Sequence, residues 1–552
     1  MKAFKTKSLC AAVLAGIGAA GSMQAGAVNI SADNTGQVLL YPYYTVRNGF
    51  VTSLTVVNTD QDHTKAVKVR FLEGRNSAEV LDFNLFLSPR DVWTASVVDN
   101  GTGAAVFSVD RSCTAPALGN TAATAQPFVN FYYTGQVAGT FNDNGGASLD
   151  RTREGYVEVI EMGVVGNNAD TAAAPSTAQG NAVATAVKHA ATGTPANCAV
   201  VRVNGLFPGA NDLHQPAGGL IGSGIIINTT TGVEFAYNPV ALANFFFDGL
   251  VTSNDLYSDP GNLNPDLRNV SPARSDVFIE DGAGGAAVRT VTDWTAAPTS
   301  GQAIDAVSAV FMRSAINNEY DVSTGFRTDW VITAPTKRFY VQAASAAAAA
   351  AAPTALTVGP FNQTFASATA GAAQSCDTVF PQAYDREEAP YASVAGIQFS
   401  PIPVGAPAGT GQLCFESTVL TVVPNGGTAA GSSVFASTSP ASLTLPANGA
   451  AGAAPQYTAG WISLYPTRGA AASNNGPGQG VAAGTNAVTG IPIAVVTTDA
   501  LGGLRNVAAN HSDAVLRRYR GLPVIGFAAI QAIAGGQGYG GLFPHKFARN
   551  IQ

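Results

Sequence analysis

The five histidines are the first residues to consider for acid–base or metal chemistry, because imidazole titrates near neutral pH. None lies in an H-E-x-x-H segment or another metal-binding spacing, and no G-x-S-x-G segment offers a serine nucleophile. A Ser-His-Asp triad can still assemble from distant positions, so a hydrolase stays open as an alternative. The sequence therefore assigns no catalytic residue. The histidines are His63, His189, His214, His511 and His545.

Paired carboxylates are the next candidates, since glycosidases hold two of them across a cleft. Glu158 and Glu161 are three residues apart in a predicted strand, so they point to opposite faces and cannot share a substrate. Residues 385–388 read D-R-E-E and lie in a Tyr- and Pro-rich stretch. Because charged residues are mostly exposed, we interpret this cluster as a solvated or ion-paired loop.

Two Asx-rich segments offer hard oxygen ligands of the kind that calcium prefers. They are residues 142–150, with the sequence NDNGGASLD, and residues 259–266, with DPGNLNPD. Neither matches the full twelve-residue calcium loop with its terminal glutamate, and Asx-rich turns without metal are common. We assign no metal-binding or cofactor-binding residue, and calcium stays an alternative.

The cysteines predict two disulfides. Cys113, Cys198, Cys376 and Cys414 follow the apolar N-terminal stretch, and an even number in an oxidising compartment is typical of a disulfide framework. Four cysteines permit three connectivities. We favour Cys113 with Cys198 and Cys376 with Cys414, because neighbours in sequence tend to be neighbours in space. No C-x-x-C pair indicates a zinc or redox site.

Aromatic and basic clusters are the remaining candidates for ligand binding. Tyr41, Tyr43 and Tyr44 alternate around Pro42, and exposed aromatics stack on sugars, although closing one end of a sandwich is the favoured interpretation. Residues 517–520 read R-R-Y-R, the densest basic cluster. A solvated helix end is favoured there over an anionic glycan or phosphate site.

The N-terminus predicts a cleaved signal peptide over residues 1–27. Three lysines within the first seven residues precede an apolar stretch at residues 9–20 and the small-residue segment Ala25-Gly26-Ala27. Cleavage there starts the mature chain at Val28. We therefore expect a secreted protein of the cell surface or extracellular space, with the periplasm as the alternative.

Charge and hydropathy exclude several partner classes. The chain carries a net charge of −7, which falls to −10 once Lys2, Lys5 and Lys7 leave with the signal peptide. Phosphate backbones demand a basic surface, so we expect no nucleic-acid partner. No later stretch is long and apolar enough to predict a transmembrane segment.

Most of the chain shows the period-2 alternation of half-buried strands. Val67, Val69 and Phe71 alternate with Lys68 and Arg70, which predicts one buried face and one face in water. The segment DFNLFLSPRDVWTASV, residues 82–97, alternates on both sides of S-P-R-D. Because Ser and Pro suit the first positions of a four-residue turn, we predict a β-hairpin there.

Several further secondary-structure elements are predicted from the spacing of apolar residues and from capping, glycine and proline residues. An N-cap with proline predicts a short helix at residues 241–247, and an apolar stripe predicts a second at residues 302–317. Segments rich in Ala, Gly, Thr, Asn and Pro are predicted as surface loops. They are residues 166–196, 343–352, 402–412, 425–455 and 468–488; D-G-A-G-G at residues 281–285 is predicted as a hairpin turn. The main additional predicted strands are residues 52–58, 156–165, 199–203, 220–227, 276–279, 330–341, 413–423, 460–465, 491–497 and 522–530.

The fold class that these elements predict is mainly β: immunoglobulin-like β-sandwiches with long Gly/Ala-rich loop insertions and a few short helices. After the signal peptide we place N-terminal sandwich strands at residues 28–110 and a β-rich middle region with short helices at residues 111–345. A C-terminal β-rich region follows at residues 346–552. Whether that last region completes one continuous sandwich with residues 28–110 stays open.

Six segments together resemble a family of large secreted proteins of Gram-negative bacteria that carries only cell-surface or hypothetical labels. They are GQVLLYPYYTV, VKVRFLEGRNSAEVLDFNLFLSPRDVWTA, GYVEVIEMG, TDWVITAPTKRFYV, YDREE and LPVIGFAA, and they span most of the mature chain. The resemblance implies an exported, β-rich surface protein. It implies no catalytic residues.

The sequence therefore predicts a non-catalytic structural or adhesive protein of the cell surface or extracellular matrix. Its expected partners are other surface proteins or glycans, and self-assembly is open. A carbohydrate- or ligand-binding module is the alternative, which a concave site with two or three exposed aromatics would favour. A secreted hydrolase is the third hypothesis.

Overall fold

Strands dominate the architecture of this computed structural model, which confirms the predicted mainly-β fold class. The immunoglobulin-like connectivity and the domain boundaries stay predictions. The structure describes residues 26–136, 142–143, 145–166, 178–209, 212–248, 255–279, 288–294, 302–341, 360–361, 374–387, 398–400, 410–427, 432–449, 456–466, 481–485, 492–496, 521–535 and 537–548.

The strands of the N-terminal part are, in chain order, β1 (Asn29–Ile30), β2 (Val38–Thr45), β3 (Val51–Asn58), β4 (Thr64–Glu73), β5 (Glu79–Leu87), β6 (Val92–Asp99), β7 (Ala104–Phe107), β8 (Cys113–Ala115), β9 (Gln126–Pro127), β10 (Glu154–Val165), β11 (Leu213–His214), β12 (Leu220–Asn228), β13 (Val233–Tyr237), β14 (Val240–Ala243), β15 (Arg274–Ile279) and β16 (Val288–Asp293).

The strands of the C-terminal part are β17 (Met312–Arg313), β18 (Ala315–Asp321), β19 (Phe326–Thr333), β20 (Asp377–Asp385), β21 (Gln398–Ser400), β22 (Gly411–Leu413), β23 (Ser417–Val423), β24 (Pro440–Thr444), β25 (Ala459–Pro466), β26 (Val481–Thr485), β27 (Pro492–Val496), β28 (Leu522–Pro523), β29 (Ile525–Ala534), β30 (Gln537–Pro544) and β31 (Lys546–Ala548). The α-helices are α1 (Phe131–Thr134), α2 (Ala178–Val187), α3 (Gln302–Phe311) and α4 (Arg338–Val341), and the 3₁₀ helices are Arg47–Gly49, Ala122–Thr124, Leu149–Arg153, Cys198–Val201 and Leu267–Asn269.

The first sandwich consists of two antiparallel sheets. Sheet A has the order β1-β14-β2-β10-β4-β5-β8, with β11 beside one end of β10, and sheet B has the order β13-β12-β3-β6-β7-β9. Every second side chain of each strand points into the core between them. Val67, Val69 and Phe71 of sheet A meet Leu54 and Trp93 of sheet B in this core.

The strands that flank residues 88–91 belong to different sheets, so the predicted β-hairpin is wrong. β5 pairs with β4 and β8 in sheet A, whereas β6 pairs with β3 and β7 in sheet B. The turn itself is present: Asp91 N–H donates to Ser88 O at 3.1 Å, and Arg90 has a φ of 63°. The alternation of apolar and polar residues shows that each strand buries one face. The same alternation occurs in two strands of one hairpin and in two strands of facing sheets, so it does not identify the pairing partner.

The second face of sheet A is also buried, so the prediction that Lys68 and Arg70 face water is wrong. Helix α3 and residues 256–270 belong to the apolar cluster on this side of the sheet, which makes a third layer. Each cation is compensated: Lys68 Nζ lies 2.8 Å from Asp82 Oδ2, and Arg70 Nε lies 2.7 Å from Glu79 Oε2. Because carboxylates on the neighbouring strand compensate these cations, a further layer can bury them. The alternation of residues in one strand does not reveal such partners.

The second sandwich consists of sheet C, with the order β22-β20-β25-β18-β31, and sheet D, with the order β21-β24-β23-β19-β29-β30. β23 and β24 pair in parallel and the other pairs are antiparallel. Trp330 and Leu420 of sheet D pack with Tyr320 and Ile462 of sheet C. The Trp330 indole N–H donates to Glu319 O at 3.0 Å and links the two sheets.

The two sandwiches share an interface. The opposite face of sheet D contributes Val331 and Phe527 to the core of the first sandwich, where the Phe527 ring stacks on Tyr237 at 5.4 Å. At one margin of the interface, the edge strands β13 and β30 lie side by side. A Cβ atom on Gly540 would lie 2.2 Å from Glu234 O, so only glycine allows this approach.

Two predicted elements have the wrong type. Residues 241–247 were predicted as a helix, but β14 occupies Val240–Ala243 and pairs with β1 and β2. Residues 199–203 were predicted as a strand, but Cys198–Val201 is a 3₁₀ helix. In both places the tertiary environment overrides the local signal: β14 pairs with β1 on one side and β2 on the other, and Cys198 at the start of the 3₁₀ helix is bonded to Cys113.

Other predictions are correct only over part of their length. The second predicted helix begins at Gln302 but ends at Phe311, where the chain enters β17 and β18. The strand predicted at residues 330–341 ends at Thr333, and Arg338–Val341 is helix α4 instead. Residues 166–196 contain α2, whose Val183 and Val187 are buried, and residues 425–455 contain β24 with buried Leu443. These segments therefore bury more apolar surface than their composition suggests.

Some predictions concern residues that lie outside the described part of the chain. They include most of the signal peptide (residues 1–25), the D-G-A-G-G turn, residues 343–352, residues 402–409, residues 468–480, Glu388, His511 and the basic cluster at residues 517–520. Among the described residues, no helix has both the length and the apolar character needed to cross a membrane.

Candidate functional site

The two predicted disulfide pairs are both joined in the structure. Cys113 bonds to Cys198 across a separation of 85 residues, and Cys376 bonds to Cys414 across 38 residues. The first bond ties sheet A to the loop after α2, and the second lies beside β20 and β22.

The histidines that the structure describes have separate structural partners. His63 Nδ1 lies 2.7 Å from Asp60 Oδ2, and His214 is buried in β11. His545 is buried between the Asn318 side chain and Val331 O. Within the described residues, no group of three or more metal-ligating side chains forms.

One serine, histidine and aspartate do come together around residues 88–91. Ser88 Oγ lies 3.4 Å from His189 Nδ1, and Asp91 Oδ2 lies 3.5 Å from the same nitrogen. A serine triad needs its serine and its carboxylate on opposite ring nitrogens. Burial raises the pKa of Asp91, while His189 opposes that shift. The cluster anchors the loop after α2 and does not have the geometry of a nucleophile relay.

Glu158 and Glu161 point to opposite faces of β10, as predicted. Glu158 Oε2 lies 2.6 Å from Arg70 Nη1, and Glu161 Oε1 lies 2.8 Å from Lys65 Nζ. Burial raises the pKa of Glu158, and Arg70 opposes that shift. Each carboxylate therefore compensates one buried cation in sheet A.

The carboxylates of the two Asx-rich segments are bound to arginines or backbone. Asp143 Oδ2 lies 2.6 Å from Arg151 Nη2, and Asp150 Oδ2 lies 2.7 Å from Arg47 Nη2. Asp266 accepts from the Arg268 backbone and guanidinium. The carboxylates of each segment diverge to different partners and do not form a common cage.

The three N-terminal tyrosines are fully buried, as the favoured interpretation predicted. Tyr41 OH donates to Thr55 O at 2.5 Å, Tyr43 OH to Glu154 Oε2 at 2.8 Å, and Tyr44 OH to Thr152 O at 3.0 Å. They join sheet A to its neighbours and present no ring to a ligand.

Exposed aromatic side chains gather elsewhere, at an open end of the second sandwich. Here sheets C and D separate around a cleft of about 470 Å³, which we call the C-terminal cleft. Its lining residues are Glu319, Tyr320, Asp321, Phe326, Arg386, Ala459, Gly460, Ile530, Ala532, Tyr539, Gly540, Gly541 and Phe543.

Sheet D supplies an aromatic wall. Phe326, Tyr539 and Phe543 are 40%, 61% and 37% exposed, although each is a large ring on a sheet face. Phe326 and Tyr539 flank Ala532 in register on β19, β29 and β30, so their backbones lie about 10 Å apart across the sheet. The small side chain of Ala532 leaves a trough between the two rings.

Gly541 extends this trough along β30. It lies opposite Ile530 and midway between Tyr539 and Phe543, which are about 13 Å apart along the strand. A Cβ atom on Gly541 would lie 3.1 Å from the Phe543 ring, so the absence of a side chain lets that ring lean over the trough. A concave surface with aromatic rings at its edges and small residues at its base is typical of a ligand-binding site.

Sheet C supplies a polar wall opposite the rings. Asp321 Oδ2 lies 3.5 Å from Arg386 Nη2. Glu319 lies between the buried residues Asn318 and Tyr320 on β18, so its side chain points to the outer face of sheet C. Tyr320 forms part of the buried lining, where burial raises the pKa of its hydroxyl, and that hydroxyl donates to Tyr384 O at 3.2 Å. The cleft therefore combines one carboxylate and one guanidinium with three exposed rings.

The chain crosses between the sheets at the cleft and fixes its two walls. β18 ends at Asp321 in sheet C and β19 begins at Phe326 in sheet D. Thr328 Oγ1 donates to Asp321 O and accepts from Asp321 N–H, and Gly325 has a φ of 88°. This short crossing holds the carboxylate side and the aromatic side at a set separation.

Sequence reasoning singled out only residues 385–388 among the residues of this cleft. Arg386 lies in the lining, and Glu387 N–H donates to Asp385 Oδ1. The rings were missed because Phe326, Tyr539 and Phe543 occupy ordinary inward positions of their strands. The available signal was the run GQGYGGLFP, where glycine between aromatics leaves space that a packed strand would fill.

Comparison of the chain with protein-family models, with curated proteins and with solved structures finds no match. The function is therefore argued from the geometry of the described residues.

Proposed function

We propose that the protein is a secreted, non-catalytic adhesive component of the bacterial cell surface or matrix, and that it binds carbohydrate in the C-terminal cleft. The observation that carries the proposal is the exposed trio Phe326, Tyr539 and Phe543 around Ala532 and Gly541. Rings of this size are normally buried, and exposed rings with apolar faces suit the C–H faces of sugars.

The polar wall supports a carbohydrate in particular. Asp321 offers carboxylate oxygens, which accept hydrogen bonds from sugar hydroxyls, and Arg386 offers donors. An apolar wall opposite a few polar groups is the usual arrangement of a small-molecule site. With one carboxylate and one guanidinium, the polar wall carries no net charge and favours neutral sugars.

The remaining features support export. The two disulfides suit an oxidising compartment, and the N-terminal sequence predicts a signal peptide. Resemblance to secreted surface proteins of Gram-negative bacteria points the same way. Adhesion is the role proposed for this site, because its described lining offers rings and hydrogen-bonding groups to a ligand.

The test is a screen of neutral, amino and acidic glycans with the purified full chain, followed by affinity measurements on variants. Tyr539→Ala and Phe326→Ala each remove one ring of the trough, and each is expected to weaken binding about tenfold, which corresponds to about 1.4 kcal/mol. Ala532→Trp fills the trough and is expected to abolish binding.

The matched control is Phe278→Ala, because Phe278 is 62% exposed on β15, outside the cleft lining. Its affinity is expected to equal that of the unsubstituted protein. Binding that all four variants retain, or the absence of any glycan ligand in the screen, would refute carbohydrate binding at this cleft. Turnover of a bound glycan would refute the non-catalytic part of the proposal.

A further inference from the structure

A second cavity, of about 270 Å³, lies beside the first disulfide of the first sandwich. Residues 108–118 form one part of its wall and residues 194–202 form another. The bond between Cys113 and Cys198 joins these two segments directly. We call this cavity the disulfide pocket; none of the sequence motifs considered above points to it.

Two arginines give the disulfide pocket a positive charge. Arg111 and Arg202 both belong to its lining, and neither forms an ion pair within the described chain. Arg202 uses Nε to donate to Thr114 O at 3.1 Å, which leaves its terminal nitrogens for other partners. Asp110 also lines the pocket, but it accepts from both the N–H and the hydroxyl of Ser112. The formal charge of the lining is therefore +1.

Trp93 forms part of the inner wall of the pocket. Its side chain is 1% exposed, and its indole N–H is buried out of reach of solvent without a hydrogen-bond partner in the described chain. The neighbouring Ser108 hydroxyl donates to Thr94 O at 2.6 Å and accepts from Asp110 N–H at 3.2 Å. An anion bound in the pocket therefore changes the surroundings of this indole without contacting its N–H.

We propose that the disulfide pocket binds a small organic monocarboxylate. One carboxylate supplies the negative charge that Arg111 and Arg202 attract. Guanidinium groups pair with carboxylates through parallel hydrogen bonds, which fixes orientation as well as charge. This site is separate from the C-terminal cleft and does not depend on carbohydrate binding there.

Charge and volume narrow the class of ligand. A lining charge of +1 balances a monoanion, whereas a phosphate dianion would leave uncompensated negative charge beside Asp110. The volume corresponds to about nine water molecules at about 30 Å³ each, which suits one sugar acid or a smaller carboxylate. Leu118 and Pro195 add apolar surface for the carbon skeleton.

The first experiment measures binding of sodium glucuronate to the full chain by calorimetry, with glucose as the neutral analogue and inorganic phosphate as the dianion. Glucuronate is expected to bind, and glucose is expected to bind at least tenfold more weakly. Arg111→Met and Arg202→Met are each expected to weaken glucuronate binding about tenfold. Arg327→Met, at an exposed arginine of sheet D, is the matched control and is expected to have no effect.

The second experiment follows Trp93 itself. The chain has four tryptophans, so a TROSY spectrum of ¹⁵N-labelled protein is expected to show four indole signals. The signal that disappears in Trp93→Phe is expected to shift on addition of glucuronate, and not to shift in the Arg111→Met/Arg202→Met double variant. A folded double variant with an unchanged spectrum elsewhere excludes general unfolding as the cause.

The outcomes separate this proposal from the function of the cleft. Tyr539→Ala is expected to leave glucuronate binding at the disulfide pocket unchanged. No glucuronate binding, binding insensitive to both arginine substitutions, or a Trp93 signal that does not respond would overturn the proposal. Tighter binding of phosphate than of glucuronate would overturn the assignment to carboxylates.

Discussion

At the residue scale, the charged and polar groups of this protein are placed by partners from distant parts of the chain. Arg47 of the first sandwich reaches Glu154 in β10 at 3.0 Å and Thr438 in the second sandwich at 3.0 Å. In a sequence, such charged groups look like candidates for chemistry. In the structure, most of them compensate a buried opposite charge. The candidate ligand-binding residues are instead the exposed rings of the C-terminal cleft.

His545 gives the clearest prediction at this scale. Its Nε2 lies 2.9 Å from Val331 O and therefore donates, and its Nδ1 accepts from Asn318 Nδ2 at 2.9 Å, which fixes the neutral ring. Burial lowers the pKa of His545 to about 3. Because this pKa is below the unfolded value of 6.5, the group stabilises the fold above pH 6.5, and that stability is lost as pH falls toward 3.

We expect the free energy of unfolding to decrease by up to about 5 kcal/mol from this group alone between pH 6.5 and pH 3. His545→Gln keeps a donor for Val331 O and removes the titration. Urea unfolding at pH 7 and at pH 4 is expected to show a smaller acid loss in the variant than in the unsubstituted protein. Equal losses in both proteins would contradict the assignment.

At the element scale, sheet A carries a buried ion-pair layer on the face away from sheet B. Arg70 is fully buried between Glu79 at 2.7 Å and Glu158 at 2.6 Å. Burial raises the pKa of both carboxyls, and Arg70 opposes the shift in each case. This layer joins β4, β5 and β10, so these strands depend on one another through charge as well as through backbone hydrogen bonds.

Arg70→Met is expected to destabilise the protein by about 3–5 kcal/mol, because it leaves two buried carboxylates uncompensated. The triple variant Arg70→Met/Glu79→Gln/Glu158→Gln removes all three charges and is expected to recover most of that loss. Thermal unfolding at pH 7 measures both effects. A triple variant no more stable than the single variant would show that packing, and not charge, dominates here.

The contact between β13 and β30 gives a second prediction at this scale. Gly540→Ala places a methyl group against Glu234 O, which would require the two edge strands to move apart. The expected loss of stability is about 1–3 kcal/mol in urea unfolding. Gly541→Ala on the same strand meets only the exposed Phe543 ring, so a smaller loss is expected. Equal losses would argue against a close contact between these edges.

How much of these elements the sequence predicts depends on the range of the interactions. The strands around Val67 and the turn at Ser88 follow from alternation and turn chemistry, both of which act within a few residues. The pairing partners of β6 and the burial of Arg70 do not follow from these local rules. They depend on contacts between sheets and layers that are far apart in sequence. The C-terminal cleft escaped prediction for the same reason, since Phe326 and Tyr539 are brought together only by β29.

At the scale of the whole molecule, two sandwiches share a core and each carries one disulfide. Strand β2 of sheet A and strand β19 of sheet D lie at the shared interface. Thr333 Oγ1 of sheet D donates to Pro42 O of sheet A at 2.6 Å. This hydrogen bond joins the two sandwiches directly.

The first disulfide is expected to carry a large share of the stability of this scaffold. Cross-linking residues 85 positions apart reduces the entropy of the unfolded chain, which corresponds to about 4 kcal/mol in the loop-entropy description. The double variant Cys113→Ser/Cys198→Ser is therefore expected to unfold at a lower temperature and to lose glucuronate binding. Unchanged stability would mean that the loop after α2 is held by its other contacts.

The measurement that tests the central claim most directly is a crystal structure of the protein with a glycan identified in the screen. Carbohydrate binding at the C-terminal cleft predicts sugar rings within about 4 Å of the Phe326 or Tyr539 side chains, with hydroxyls toward Asp321 or Arg386. A glycan bound at any other surface, with the trough between these rings empty, would contradict it.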